Sequence, residues 1–282
     1  MSGKAPEAEG GLRPEVLAHY EAAAEAGRLG TEVGRLELVR SQEIIRRFIP
    51  PPPAVVLDVG GGPGAYACWL AGLGYEVHLI DPVPLHVEQA HRASELQPGR
   101  PLASALIGDA RRLTRAEGSA DCVLMLGPLY HLTERRDRLG ALREALRVLR
   151  PGGVLVAAGI SRFASTLDGL ARGFLEDPVF ARIAERDLRD GQHRNPSEDI
   201  AYFTTAFFHH PDQMQVEVEE AGLRHEATLA VEGPAWLFQD LADRWSRSGS
   251  REALLAALRR LEAEPSLLGA SAHLIEIARR PS

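Results

Sequence analysis

The sequence predicts an α/β domain with a doubly wound, mostly parallel sheet that has helices on both faces. Short apolar runs rich in β-branched residues alternate with amphipathic helical patterns, which is typical of strands joined by crossover helices. In the clearest helical pattern, leucines recur at helical spacing among Arg and Glu, at Leu139, Leu142, Leu146 and Leu149. With 282 residues, 45% of them hydrophobic, the chain is long enough for one such domain with insertions.

The N-terminal part is predicted to be a tail and a helical lid, at residues 1–53. Residues 1–13 are rich in Gly, Ala, Pro and Glu, and residues 14–49 contain two helical patterns interrupted by glycines. Three prolines at 51–53 then end the helical structure. We expect the two helices to close over the ligand site.

Five strands follow in a segment, residues 54–160, that we interpret as the cofactor-binding core. Their predicted ranges are 54–59, 75–80, 102–107, 121–126 and 153–158. Residues 161–210 lose this alternation and are predicted to be a helical insertion that covers the substrate. Residues 211–282 return to the core with a helix from Pro211, a strand at 226–231, helices across 235–263 and a last strand at 273–278.

Composition excludes several classes of protein. The net charge of −7 argues against a general nucleic-acid or membrane-surface binder, because both need a positive face. No apolar signal region and no run of 18 apolar residues occurs, so we expect a cytoplasmic protein. Cys68 and Cys122 are predicted to be buried thiols, and no metal-ligand spacing is evident. Lys4 is the only lysine, and this preference for arginine indicates a GC-rich, bacterial genome.

The strongest functional signal is a glycine cluster directly after the first predicted strand, in the segment V-V-L-D-V-G-G-G-P-G at residues 55–64. Glycines let the backbone turn sharply there and let a ligand lie against main-chain atoms. Gly60, Gly62 and Ala65 also satisfy the dinucleotide pattern G-x-G-x-x-G/A. The loop alone therefore leaves a nicotinamide cofactor open.

Three acidic residues stand at the ends of successive predicted strands. Asp58 lies just before the glycines, where it can orient the loop or accept a hydrogen bond from a ligand ammonium. Asp81 ends the second strand, at a position suited to both hydroxyls of a ribose, which nicotinamide enzymes also use. Asp109 follows the third strand, where its carboxylate can accept a hydrogen bond from an adenine amino group. We expect these side chains to meet at one edge of the sheet.

Taken in order, these segments resemble the seven-strand class I S-adenosylmethionine-dependent methyltransferase family. The resemblance covers residues 54–160 and rests on V-L-D-V-G-G-G-P-G, H-L-I-D-P, G-D-A, D-C-V-L-M-L-G-P-L-Y-H-L and R-V-L-R-P-G-G. It implies a seven-stranded sheet whose last strand is antiparallel. It also implies S-adenosyl-L-methionine as the cofactor, with S-adenosyl-L-homocysteine as the product.

The resemblance assigns cofactor roles to particular positions. Residues at the first and fourth strand ends would flank the methionine part, Asp81 would bind the ribose, and residues after the third strand would read the adenine edge, with Pro82 nearby. The implied cofactor-binding residues are Asp58, Gly60, Gly62, Gly64, Asp81, Pro82, Asp109, Ala110, Leu126 and Gly127. The cofactor is a sulfonium cation without a pyrophosphate, so a site lined with carboxylates suits it better than a phosphate cradle would.

Two histidines are candidate catalytic residues. His131 follows the fourth strand, where it is a candidate general base or substrate partner, although ordering of the loop is an equal alternative. His209 lies in the aromatic run at 202–210, which is predicted to form a pocket wall or else a small core of the insertion. Because adjacent residues on a strand point to opposite faces, His209 and His210 are not expected to share a metal.

The candidate substrate contacts are spread over the lid, the insertion and the core. They are Tyr20, Tyr130, Tyr202, Phe207, His210 and Trp236. Arg35 and Arg40 of the lid are further candidates for contact with the cofactor carboxylate or with an acidic substrate.

The function that we expect is methyl transfer to an O, N or C nucleophile of a small molecule by in-line displacement. The two helical covers favour an enclosed pocket, and we expect a monomer or homodimer without nucleic-acid or membrane partners. Two alternatives remain. One is an NAD(P)-dependent oxidoreductase, although the Tyr-x-x-x-Lys pair of the short-chain type is not evident. The other is a protein that binds S-adenosylmethionine without methylating.

Overall fold

The structure is a computed structural model and describes residues 30–197 and 199–282 of the chain. The predicted tail, the part of the predicted lid before residue 30 and Tyr20 lie outside these residues. Helix α1 (Glu32–Phe48) is the described part of the lid, and the Thr31 side chain caps it by accepting a hydrogen bond from the Gly34 amide. In the described ranges, none of the helices combines the length and the apolar character that crossing a bilayer requires.

The main path of the sheet has the strand order β3–β2–β1–β4–β5–β9–β8. The strands are β1 (Val55–Val59), β2 (Glu76–Asp81), β3 (Ser104–Ile107), β4 (Ala120–Met125), β5 (Leu149–Ser161), β6 (Gln192–His193), β7 (Ala206–His209), β8 (Arg224–Ala230) and β9 (His273–Arg279). Strands β1 to β5 pair in parallel, and β9 pairs antiparallel with both β5 and β8. The predicted fold class is confirmed, including the antiparallel last strand.

Helices cover both faces of the sheet because alternate strand side chains point to opposite sides. Val56 and Val77 pack on one face with helices α1 to α3, whereas Leu57 and Val123 pack on the other with α5 and α8. The helices after α1 are α2 (Ala65–Gly72), α3 (Pro84–Glu95), α4 (Pro128–His131), α5 (Arg135–Val148), α6 (Ala164–Arg172), α7 (Pro178–Asp190), α8 (Pro211–Glu220), α9 (Leu241–Ser246) and α10 (Ser248–Leu261). The apolar contacts on both faces hold the ends of the parallel strands in register.

The insertion after β5 is only partly helical. Its first half forms α6 and α7, as predicted, but its second half is a short antiparallel hairpin of β6 and β7, and β7 continues alongside β5. The helical prediction is wrong there. The hairpin begins at Gly191, where φ is +73° and an added Cβ would lie 2.3 Å from the Phe208 carbonyl oxygen. Only glycine fits this turn, which redirects the chain from helix to strand.

Helix α1 is fixed to the core through Arg40. The Arg40 side chain is fully buried, and its Nε donates to the Val231 carbonyl oxygen at 3.2 Å. Its guanidinium also pairs with Glu262 and Glu43. Arg40 is therefore committed to anchoring the helix, and the expectation that it contacts the cofactor or an acidic substrate is corrected. Arg35 of the same helix is exposed.

Candidate cofactor site

A cavity opens at the carboxyl ends of β1, β2 and β4, where the loops after these strands meet. Nine of the ten predicted cofactor-binding residues line it: Asp58, Gly60, Gly62, Asp81, Pro82, Asp109, Ala110, Leu126 and Gly127. The exception is Gly64, which caps α2 with a φ of +90° and would place a Cβ 3.2 Å from that of Ala90. Gly64 thus allows the loop to pack closely on α3 and does not face the cavity.

The glycine loop is shaped by contacts with two neighbouring strand ends. Gly60 donates its amide to the Ile80 carbonyl oxygen at 2.7 Å, and Gly62 donates its amide to Asp81 Oδ2 at 2.8 Å. Gly60 also has a φ of +69°, and an added Cβ would lie 2.6 Å from the Pro128 ring. A side chain at Gly60 would therefore clash with the β4–α4 loop and strain the backbone.

Asp58 is a buried carboxylate without a matching cation. Among the described residues, its Oδ2 has no hydrogen-bond partner, although it is shielded from solvent. Burial and the nearby charge of Asp81 raise the pKa of Asp58 to about 7, against a smaller opposing effect of the Ala67 amide. An acceptor of this kind, held beside a cavity, is stabilised by a cation and disfavours an anionic group such as a pyrophosphate.

Asp81 is held in place by its own loop. Besides the Gly62 amide, its carboxylate accepts a hydrogen bond from the Val83 amide at 2.9 Å and lies 3.1 Å from His86 Nδ1. Since a carboxylate has about four acceptor positions, capacity for a ligand hydroxyl is left on Oδ2. His86 also lines the cavity. The sequence analysis did not identify His86. The signal that could have identified it is its position on the first turn of α3, five residues after Asp81.

Asp109 has a different environment from that expected. Its two oxygens accept hydrogen bonds from the Arg111 guanidinium, at 2.6 Å for the shortest, and its Oδ1 also accepts from the Arg111 amide. Arg111 lines the cavity too and extends to Asp137 at 3.3 Å. The structure thus places Asp109 at the cavity with its carboxylate already paired, and the Ala110 amide beside it. Arg111 was missed because nothing in its local pattern separates it from a surface arginine.

One side of the cavity is formed by α4. Tyr130 and His131 both line it, with their ring centres 4.6 Å apart, and His131 is buried. The ring of Phe203 in the insertion lies 6.3 Å from that of His131. The β4–α4 loop therefore brings one histidine and one tyrosine to the cofactor cavity from a position adjacent to Gly127.

His209 is not at this cavity. It is fully buried beneath α8, with its Nε2 3.5 Å from Glu217 Oε2, and burial lowers its pKa. Glu217 in turn accepts two hydrogen bonds from the buried Arg138, of 2.9 and 2.7 Å. The Arg138 guanidinium lies 3.6 Å from the centre of the Phe207 ring. His209 and Phe207 thus belong to a buried charge network behind the site, and the expectation that they face the substrate is corrected.

Of the remaining candidate substrate residues, Tyr202 and His210 lie away from the cavity, whereas Trp236 packs in the cluster that contains Tyr130. Tyr202 stacks with Phe174 and Phe180 in a small core of the insertion and donates its hydroxyl to Asp177. His210 is half-exposed at the start of α8. Trp236 donates its Nε1 hydrogen to the Ala270 carbonyl oxygen and packs in an aromatic cluster with Tyr130. The prediction for Phe207 was wrong because side chains alternate along β7, so that Phe208 rather than Phe207 points toward α4.

Comparison with known proteins agrees with this geometry. Residues 57–157 match the family described as methyltransferase domain. These residues run from β1 into β5 and include the glycine loop, Asp81 and the β4–α4 loop. The match covers this segment, which is less than half of the chain.

Individual relatives resemble the domain more than the whole chain. The 2-methyl-6-phytyl-1,4-hydroquinone methyltransferase of Synechocystis sp. is 38% identical over 137 residues, which are 48% of this chain and 41% of that protein. The chain thus spans less than half the length of this relative. A methyltransferase structure from Methanosarcina mazei has a TM-score of 0.57 at 16% identity and covers 84% of this chain and 97% of its own. One from Mesorhizobium loti has a TM-score of 0.56 at 17% identity, with 86% and 98% covered. The two structures show the fold.

Proposed function

We propose that the protein transfers the methyl group of S-adenosylmethionine to an O, N or C nucleophile of a small molecule. The observation that carries the proposal is Asp58, a buried carboxylate at the cavity with an oxygen that lacks a partner in the described residues. A sulfonium cofactor with an ammonium group supplies the positive charge that this site lacks, whereas a nicotinamide dinucleotide would add two phosphate charges. The residues present therefore fit S-adenosylmethionine.

The roles of the lining residues follow from their positions. Asp58 and the peptides around Gly60 and Gly127 would hold the methionine part, and Asp81 would bind the ribose hydroxyls. Asp109, fixed by Arg111, and the Ala110 amide would face the adenine. These assignments remain proposals, and they use groups that already line one cavity.

The chemistry requires alignment and exclusion of water more than acid–base strength. When bound, the cofactor supplies an electrophilic methyl carbon, which is attacked in line as its bond to sulfur breaks. Holding the acceptor in line can lower the barrier by about 7–11 kcal/mol. His131 would take the acceptor's proton as the new bond forms, since a histidine can accept a proton near neutral pH. Helix α1 and the insertion at 161–210 would cover the site.

The acceptor class rests on charge and on one relative. Three aspartates and one arginine line the cavity, which disfavours the polyanionic backbone of a nucleic acid. The Synechocystis relative is named for a phytyl-substituted hydroquinone, which is not a macromolecule. Both points support a small molecule.

Calorimetry with S-adenosylmethionine, S-adenosylhomocysteine and NAD⁺ tests the cofactor. We expect the first two to bind and NAD⁺ to give no heat. Tight binding of NAD⁺ alone would overturn the proposal. Incubation with methyl-deuterated S-adenosylmethionine and a metabolite panel, followed by mass spectrometry, then tests turnover. Binding without any labelled product would support the non-catalytic alternative.

A further inference from the structure

An aromatic cluster adjoins the cofactor cavity on the side of the insertion. It consists of Tyr130 on α4, Phe203 before β7, Phe208 on β7 and Trp236 after β8, and it is distinct from the core that holds Tyr202. Phe203 and Phe208 have ring centres 6.4 Å apart, and Phe203 reaches the His131 ring at 6.3 Å. Tyr130, the member that lines the cavity, joins the cluster to the cofactor site.

Phe203 reaches this cluster through a strained backbone. Its φ is +64°, in the left-handed region that bulky side chains rarely adopt. The Asn195 side chain holds this turn by donating to the carbonyl oxygens of Asp199 at 2.8 Å and Phe203 at 2.9 Å. As a result, Tyr202 joins the insertion's own core while Phe203 turns toward His131. Strain of this kind persists where the surrounding structure enforces it, and it clusters at ligand sites.

The cluster offers ring faces and few hydrogen-bonding groups. The Trp236 Nε1 hydrogen is used by the Ala270 carbonyl oxygen. His193 stacks on Phe208 with ring centres 4.6 Å apart, and both of its ring nitrogens are already hydrogen-bonded, Nδ1 to Asp187 and Nε2 to the Tyr202 carbonyl oxygen. A ligand against this wall therefore gains apolar and ring-stacking contacts, which favour a flat aromatic group.

The charges around the site disfavour ionic acceptors. The lining arginine, Arg111, is already paired with Asp109, so an anionic acceptor would meet uncompensated carboxylates at Asp58 and Asp81. A cationic acceptor would gain cation–π contacts with the rings, but it would lie beside the positive sulfonium, and no member of the cluster carries a carboxylate to offset that repulsion. A neutral ring avoids both penalties.

We infer that the methyl acceptor is a neutral aromatic molecule with an ionisable hydroxyl group, whose ring packs against Tyr130 and Phe203 beside His131, with Phe208 and Trp236 supporting these two rings from behind. This inference rests on the proposed function and specifies its substrate class. In the reaction, a bond forms between the hydroxyl oxygen and the methyl carbon while the carbon–sulfur bond breaks. The hydroxyl proton passes to His131, and the sulfonium becomes a neutral thioether.

Four matched probes test the inference on the full chain saturated with sinefungin, a cofactor analogue that keeps a positive charge near the sulfonium position and has no transferable methyl group, with binding followed by NMR titration. They are 4-methylphenol, 4-methylbenzoate, 4-methylbenzylamine and 4-methylcyclohexanol, which vary either the charge or the ring. We expect 4-methylphenol to bind at least about threefold more tightly than each of the others, the scale of a single aromatic contact. Equal or tighter binding of the benzoate, the amine or the cyclohexanol would overturn the inference.

Substitution of Phe203 locates the site. Phe203→Gly keeps a backbone that glycine adopts readily and removes the ring, so we expect about three- to tenfold weaker binding of 4-methylphenol with unchanged affinity for S-adenosylhomocysteine. Phe203→Leu, which keeps apolar volume, should lose affinity in the same direction and serves if the glycine variant does not fold. Phe238→Ala is the control, because Phe238 is exposed outside the cluster. Unchanged phenol binding in the folded Phe203 variants contradicts the inference, whereas loss of S-adenosylhomocysteine binding in the unmodified chain would instead refute the proposed function.

Discussion

Two buried charged regions lie on either side of the segment that follows α4, and they differ in how their charges are matched. In the cofactor cavity, Asp58 and Asp81 share a buried space, and an oxygen of Asp58 has no partner in the described part of the chain. Behind the segment, Arg138 is as deeply buried, yet Glu217 pairs with it through two hydrogen bonds. The charges of the matched region are satisfied by the protein itself, whereas we propose that a positively charged ligand completes the unmatched one.

The matched region also supports the site mechanically. Arg138 Nη1 donates to the carbonyl oxygens of Leu132 and Thr133, both at 3.0 Å, in the segment directly after His131. The same guanidinium packs on Phe207. The network thus holds the C-terminal end of α4 on the side away from the cavity, while Tyr130 and His131 line the cavity.

The largest expected effect is on stability, in the matched region. Glu217→Gln leaves Arg138 as an unpaired buried charge, so we expect the free energy of unfolding to fall by about 3–5 kcal/mol. Urea denaturation measures it. Glu220→Gln is the control, because Glu220 lies one helical turn further along and forms an exposed pair with Arg135. Its free energy of unfolding should fall much less. A similar loss in both variants would contradict the distinction between the two regions.

The second prediction concerns His131, which lies between the regions. His131→Ala should lower turnover by about a hundredfold or more, the usual scale for a general base, with little change in affinity for S-adenosylmethionine. Steady-state rates and calorimetry on the same preparation separate the two effects. Equal losses in rate and affinity would assign His131 to cofactor binding, and no loss in either would remove it from the mechanism.

The third prediction tests the unmatched region. Asp81→Ala should weaken S-adenosylmethionine binding by about tenfold or more, because it removes charge-assisted hydrogen bonds to the ligand and to the Gly62 amide. Calorimetry measures the dissociation constant. Asp121→Ala is the matched control, since Asp121 is a strand residue of β4 outside the cavity that is bonded to the Val55 amide and Arg150. Unchanged affinity in Asp81→Ala would refute the ribose assignment.

The smallest expected effect is a pH dependence. Because burial and Asp81 raise the pKa of Asp58 to about 7, the carboxyl is largely protonated at pH 6 and must lose its proton to face a cation. Affinity for S-adenosylmethionine should therefore fall about tenfold between pH 8 and pH 6. Asp58→Asn should flatten this profile. A profile that is flat in the unmodified protein would show that Asp58 does not face the cationic group.

The two regions also predict opposite effects of pH on stability. A pKa raised by folding favours the native state at low pH, so the contribution of Asp58 is present below pH 4 and is lost as pH rises through 7. For Glu217, burial opposes ionisation, but hydrogen bonds from His209 and Arg138 lower its pKa to about 2. The contribution of Glu217 is therefore present above pH 4.5 and is lost as pH falls toward 2.

The cofactor edge of the molecule was determined by sequence patterns that are local to each strand end. Asp58 and Asp81 lie at the ends of buried strands, Asp109 follows the edge strand β3, and parallel strands bring their carboxyl ends to one edge of the sheet. The pattern therefore predicted both the fold class and the lining of the cavity. It required no knowledge of which distant residues pair.

Pairing between distant residues was decided only by the tertiary structure. Glu217 lies 79 residues from Arg138, and neither residue differs locally from a surface residue of an amphipathic helix. Arg111 likewise extends to Asp137, 26 residues along the chain, at 3.3 Å. Charged side chains of this kind form stabilising pairs only when they are buried together, and their burial depends on which helices pack on the sheet.

The aromatic run at 202–210 also shows what the sequence determined and what only the tertiary structure decided. The sequence by itself marked an aromatic run at 202–210, but the left-handed backbone at Phe203 and the alternation of β7 chose which rings face His131. Tyr202 and Phe207 pack in other clusters, whereas Phe203 lies beside His131 and Phe208 lies behind Phe203. Side-chain direction depends on backbone torsions and strand register, and long-range packing determines both.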